Sequence, residues 1–159
     1  MRLHSHFALV AAGVLALAAL AVPQAGVAAE PGSRAAIDQA AAVNTELALA
    51  YMREGNLKAA REKIDKALQQ DARTANTQMA AGFVYDKLGD KKKALSHFEQ
   101  AVRLGGKDNP DVVANAAVYF CMNGEPKRGE QYMLQAAASP LNARPDVAYT
   151  NAGRCARGD

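Results

Sequence analysis

Two glycines 34 positions apart, Gly55 and Gly89, occupy the same point of a pattern that recurs along most of the chain. Aligned on them, residues 41–74 and 75–108 match without a gap, and residues from 110 onward follow after a one-residue slip. Seven residues before the glycine stands a small residue (Ala48, Gly82, Ala117), and four before it a ring (Tyr51, Tyr85, Phe120). Five after it comes another small residue (Ala60, Ala94, Gly129), then a bulky one (Ile64, Phe98, Met133), and twelve after it always alanine (Ala67, Ala101, Ala136). Amphipathic helices in general share the 3.6-residue spacing but not this fixed order of small and large. The order predicts helix pairs whose backbones approach closely at the small positions, with rings filling the space between them.

The helices this predicts run over about 37–53 and 57–70, then 75–88 and, after Asp90 as cap, through 104, then 110–123 and 126–138. In each pair the glycine supplies the left-handed residue that ends the first helix. Asn56 and Asp90 can cap the second helices, and Pro110 and Pro126 suit a first turn, where a missing N–H costs nothing. A period of 34 resembles the tetratricopeptide repeat. The expected fold is therefore an all-α tetratricopeptide superhelical solenoid of antiparallel helix pairs over residues 37–159. Its repeats span about 41–74, 75–108 and 110–143, with a partial fourth from about 146, whose Asn151-Ala152-Gly153 resembles Asn115-Ala116-Ala117. A lone first helix before Asp159 would expose an apolar face, so a truncated chain is expected, with a short capping helix as the alternative.

Residues 1–29 are different material: a positive start, an apolar run from Phe7 to Val22, then Pro23 and the small stretch Val27-Ala28-Ala29. This reads as a secretory signal peptide cleaved after Ala29, because the apolar run is shorter than the roughly 20 residues a spanning helix needs. Residues 30–36, with Pro31 and Gly32, read as a flexible lead-in. Export places the protein in the periplasm, with membrane association only through partners.

Composition narrows function by exclusion. The 159 residues carry a formal net charge of +3 with the signs mixed, and the one basic run, Lys91-Lys92-Lys93, reads as a solvated face, so nucleic acid is not indicated. Beyond the signal segment the chain has one histidine, His97, on a helix among polar neighbours, and it reads as an incidental surface residue. Two cysteines and this histidine match no metal spacing, and neither a phosphate loop nor a nucleophile elbow is present. No enzyme activity, metal, cofactor or small-molecule substrate is expected. Cys121 and Cys155, again 34 apart, fall near corresponding points of neighbouring first helices. A disulfide and two buried thiols are both compatible with that placement.

Recognition of a protein partner is what remains. The resemblance to tetratricopeptide domains implies which positions line the concave wall made by the first helices. These are Thr45, Leu49, Met52 and Arg53 in unit one, and Asn76, Met79, Phe83, Asp86 and Lys87 in unit two. Unit three adds Asp111, Ala114, Val118, Cys121 and Met122. The methionines and Phe83 would form an adaptable apolar floor and the charged residues polar register, unless some of them fill core gaps instead.

From Tyr119 to Asp159 the sequence resembles type IV pilus biogenesis and stability proteins of the PilF/PilW family. The resemblance rests on Tyr119-Phe120-Cys121 ahead of Gly124, the small-residue run Ala136 to Leu141, and Asn151-Ala152-Gly153-Arg154-Cys155. It implies a pilotin-like assembly or stability factor that binds the outer-membrane secretin or another pilus component. The family's N-terminal lipid-bearing cysteine has no counterpart before Cys121, so a lipid anchor is not supported. A general periplasmic scaffold of another envelope complex, or a regulatory fragment of an envelope enzyme, are the alternatives.

Overall fold

The computed structural model describes residues 32–106 and 108–158. The expected signal peptide, residues 1–29, lies outside them. Among the described residues seven helices follow one another: α1 (Arg34–Arg53), α2 (Leu57–Gln70), α3 (Ala75–Lys87), α4 (Lys91–Gly105), α5 (Pro110–Met122), α6 (Pro126–Ala137) and α7 (Pro145–Arg157). The first six form three antiparallel hairpins stacked in chain order, and α7 packs against α6.

Each hairpin turns within three residues, and the glycine makes that possible. Gly55, Gly89 and Gly124 have φ of +78°, +80° and +87°. The following N–H reaches back to the carbonyl of the ring residue: Asn56 to Tyr51 at 2.9 Å, Asp90 to Tyr85 at 2.9 Å, Glu125 to Phe120 at 3.0 Å. This is the Schellman arrangement, which satisfies helix-end carbonyls that would otherwise be orphaned. The residue that closes it is also the N-cap of the next helix. Asn56 accepts from Ala59 N–H at 3.2 Å and Asp90 from Lys93 N–H at 3.1 Å, while Pro126 at the first turn serves the third hairpin.

The small, ring and bulky positions of the pattern become the core. Ala48, Ala60, Ala67, Ala94, Ala101 and Ala117 are fully buried, as are Ile64, Phe98 and Phe120. Phe98 stacks on Tyr119 of the next unit with ring centroids 4.2 Å apart and meets the edge of Phe83 at 5.0 Å. Polar links also join the units. Tyr85 donates its hydroxyl to Asp65 of α2, and Arg128 of α6 pairs with Glu99 of α4 at 2.8 Å while lying 4.5 Å over Phe120.

One expectation is corrected. The lead-in does not extend to residue 36, because Ser33 caps α1 by accepting from Ala36 N–H at 3.2 Å and an Arg34–Asp38 pair at 2.8 Å ties the first turn. Lys91, Lys92 and Lys93 are exposed as expected, and in addition Lys91 pairs with Asp86 and Lys93 lies 4.7 Å over the Tyr85 ring. The fourth unit keeps the expected alignment of Asn151-Ala152-Gly153 with Asn115-Ala116-Ala117, since its buried Ala148, Ala152 and Cys155 match buried Val112, Ala116 and Tyr119 of α5.

Around Gly89 a Cβ would meet nothing within 4 Å, so alanine there pays only for the left-handed backbone. Gly89→Ala should lower unfolding free energy by about 1–2 kcal/mol. Urea denaturation followed by helical circular dichroism measures this, and an unchanged midpoint would contradict the turn assignment.

Candidate interaction surface

The first helices α1, α3 and α5 carry the residues expected along the concave wall, and the structure divides them into two groups. Arg53, Asn76, Lys87, Asp111, Val118 and Met122 are exposed, Met122 at 79%. Leu49, Met52, Met79, Phe83 and Ala114 are half-buried and pack against the central core. The floor is thus shared between surface and interior, with Phe83 held by Phe98. Asp86 is half-buried and engaged by Lys91 Nζ at 2.5 Å.

Thr45 does not face the wall. It is 5% exposed, its hydroxyl donates to the carbonyl of Ala41 at 2.9 Å, and it lies 3.1 Å from the Thr77 hydroxyl. Since the Thr45 proton is committed to Ala41, Thr77 is the donor in that pair. The two hydroxyls join α1 to α3 deep in their seam, which the periodicity of either helix alone does not reveal.

His97 also departs from the surface role expected of it. It is half-buried, its ring stacks on Tyr85 with centroids 5.3 Å apart, and its Nδ1–H donates to Gln78 Oε1 at 2.7 Å. Burial and then the nearby Lys93 cation push its pKa below the usual histidine value. Burial, followed by the bond to Asp65, pushes the Tyr85 phenol up to about 12. His97, Tyr85, Gln78 and Asp65 form a seam that holds second helices against α3. Among the described residues no three histidine, cysteine or acidic side chains converge on a metal-sized site.

Cys121 and Cys155 are joined in a disulfide with Cα atoms 5.4 Å apart, linking α5 to α7. Gly129 of α6 makes room for it. A Cβ at Gly129 would stand 2.3 Å from Cys121 Sγ and 2.9 Å from two backbone atoms of α5. The small position that is alanine in the first two units must therefore be glycine in the third. The bond spans 34 residues, for which loop entropy gives about 3–4 kcal/mol.

Between α5 and α7 lies a cleft of about 390 Å³, which shares Val118 and Asn151 with a second of about 170 Å³ beside the disulfide. Asn115, Asn142, Arg144, Val147, Asn151 and Arg154 line it and were missed from sequence. α7 buries Ala148, Ala152 and Cys155, with Ala152 clustering against Ala117 and Met133. These positions correspond to the buried Val112, Ala116 and Tyr119 of α5, so α7 buries the same face as the other first helices and presents Asn151, like Asn115, to the cleft.

Three comparisons bear on these features. A family model of the tetratricopeptide repeat matches residues 39–105. An uncharacterized protein of Haemophilus influenzae is 30% identical over 117 residues, covering 74% of this chain and 65% of that protein. The chain thus spans just under two thirds of that relative's length. Among solved structures, the N-terminal domain of stress-induced protein-1 (STI-1) from C. elegans superposes with a TM-score of 0.57. The match covers 74% of this chain and 98% of that domain at 16% identity, which speaks for the fold alone.

Gly129→Ala should destabilise the protein by about 1–3 kcal/mol, because part of the obstruction is backbone that cannot rotate away. Thiol titration of the unfolded variant will show whether the disulfide still forms; full stability with an intact disulfide would contradict the close approach. The lowered His97 pKa means that the unfolded chain binds its proton more readily. Its contribution is present above the ordinary value near 6.5 and fades as pH falls below it. Urea midpoints at pH 7.5 and 5.5 should differ less in His97→Gln than in the parent, and an identical difference would refute the assignment.

Proposed function

Taking the chain as a tetratricopeptide-repeat solenoid, we propose that it is a protein-interaction scaffold which serves as an assembly or stability factor in the periplasm, with the type IV pilus secretin or a neighbouring pilus component as its partner. The scaffold role is supported by the fold, whose first helices offer side chains along one wall. The pilus reading draws its support from the stretch Tyr119 to Asp159. The two cysteines by which that stretch resembles the PilF/PilW proteins are the pair joined in the disulfide, and such a bond suits an exported protein. That pairing is the observation that carries the proposal.

The match of residues 39–105 to a general tetratricopeptide-repeat model, which carries no pilus-specific feature, favours a second reading, a periplasmic scaffold of another envelope complex. Deleting the gene separates the two: the pilus reading requires loss of secretin multimers and of twitching motility, and the alternative leaves both intact.

The concave wall can be probed with little risk to the fold, because Arg53 and Lys87 are exposed on α1 and α3. Arg53→Glu with Lys87→Glu should weaken capture of purified secretin subunit by roughly tenfold, the effect of losing charge-assisted contacts, with helicity and melting temperature unchanged. Undiminished capture would remove those two positions from the partner site.

A further inference from the structure

We propose that the open face of α7 is a self-association surface, on which α7 of a second copy of this chain seats antiparallel, with the Tyr149 ring of each copy resting on Ala156 and Leu134 of the other. Self-association through α7 goes beyond the scaffold reading and stands apart from it.

The earlier units show what this face lacks. Val113, Ala117 and Phe120 of α5 are buried, as are Gln78, Gly82 and Tyr85 at the same places of α3. In each case the second helix of the hairpin covers them. A Cβ at Gly82 would meet the Phe98 ring of α4 at 2.8 Å, and one at Gly129 of α6 would meet the Ala117 carbonyl oxygen at 2.9 Å. With Asn151 aligned on Asn115, the same places in α7 are Tyr149, Gly153 and Ala156. Tyr149 is 55% exposed, Ala156 is exposed and Gly153 is half-buried. Among the described residues no helix follows α7 to cover them.

The face is complementary to itself in shape. Where α3 and α5 carry the rings of Tyr85 and Phe120, α7 carries Ala156, so a hollow stands at the ring position, while Tyr149 projects a ring about two turns away. An antiparallel copy crossing at Gly153 brings each Tyr149 onto the other's Ala156, and the missing side chain at Gly153 lets the backbones approach. Leu134 of α6 completes the hollow. It holds the place from which Asp65 reaches the Tyr85 hydroxyl and Glu99 reaches Arg128 above Phe120, yet it is apolar and 42% exposed. An apolar side chain there suits the face of an arriving ring.

Charge selects a second copy over an unrelated helix. Asp146 in the first turn and Arg157 in the last are 11 residues apart, about three turns, so they stand on the same rim of the face, and both are exposed. The Arg157 guanidinium comes within 3.7 Å of where a Gly153 Cβ would stand. Antiparallel seating sets Asp146 of one copy toward Arg157 of the other, and two-fold symmetry repeats the pair. Parallel seating would oppose like charges. α7 has 13 residues and is about 20 Å long, short for a standard interface, so the dimer should be weak and dissociable. Its disulfide to α5 fixes the helix before association, which lowers the ordering cost. Val147, Asn151 and Arg154 line the clefts on another side of α7, so both concave walls stay open in the dimer.

The test is analytical ultracentrifugation of the full chain at low salt over about 5–500 μM, the range in which a small interface dissociates. A reversible monomer–dimer equilibrium is expected. Tyr149→Glu and Leu134→Glu should each weaken it by about tenfold or more, as loss of a central anchor does. Both side chains are exposed, so helicity and melting should stay at the parent values. Asp146→Arg and Arg157→Asp should each weaken self-association by about fivefold, the effect of two rim pairs made repulsive. An equimolar mixture of those two variants should associate about as well as the parent, because each copy then meets opposite charge. A change that merely disturbed α7 would not be rescued by mixing. A monomer across the whole range would overturn the proposal, as would a mixture no stronger than its components. Association lost in Val43→Glu/Leu47→Glu but untouched by the α7 variants would place the contact on the exposed apolar face of α1 and reject α7. A monomer whose Tyr149 resists nitration at every concentration, read by peptide mass spectrometry, would assign the cover to another segment of the chain and reject a second copy. None of these failures touches the capture experiment on Arg53 and Lys87, which tests the scaffold reading separately.

Discussion

The three-residue hairpin turn is the constraint from which the repeat follows. One residue, Asn56 or Asp90, closes the end of the first helix with its backbone N–H and opens the second with its side chain. Only a left-handed residue between cap and cap lets both bonds form, and glycine enters that region with no Cβ penalty. The carbonyl that receives the closing bond belongs to the ring residue of each unit. The turn thereby holds the ring's backbone at the place where the hairpin must be filled, and the small residues on either helix are the space left for close approach. Turn and core pattern recur together because each helix length between them is fixed by the same bonds.

Links between units are of another kind. The residue ten positions after each turn glycine reaches the following unit, Asp65 to the Tyr85 hydroxyl and Glu99 to Arg128. The donor differs, a phenol in one case and a guanidinium in the other, but in both a cation lies over a ring of the receiving unit. The corresponding residue in unit three is Leu134, which is exposed. The polar link is discontinued at that point, and α7 is joined instead by sulfur and by small side chains against α6.

Legibility from sequence follows the same division. The hairpins were readable because their determinants are local: the glycine, its capping neighbour and the small and large positions all lie within one unit. The span of α2 was anticipated to the residue, and the ends of α3 to α6 to within about one residue. What depends on a neighbouring element was not readable. Thr45 occupies a wall position by register, yet it is withdrawn into the seam with Thr77, and His97 acquires a partner from α3 that its own helix does not announce. Phe83 and Met79 were expected on the floor of a groove and are divided between groove and core. Whether a half-buried side chain on a first helix is surface or interior depends on the separation of consecutive units, and sequence period sets order rather than separation. The cleft was missed for a related reason, since its lining comes from α5, α7 and the segment between α6 and α7, which no single helix period brings together.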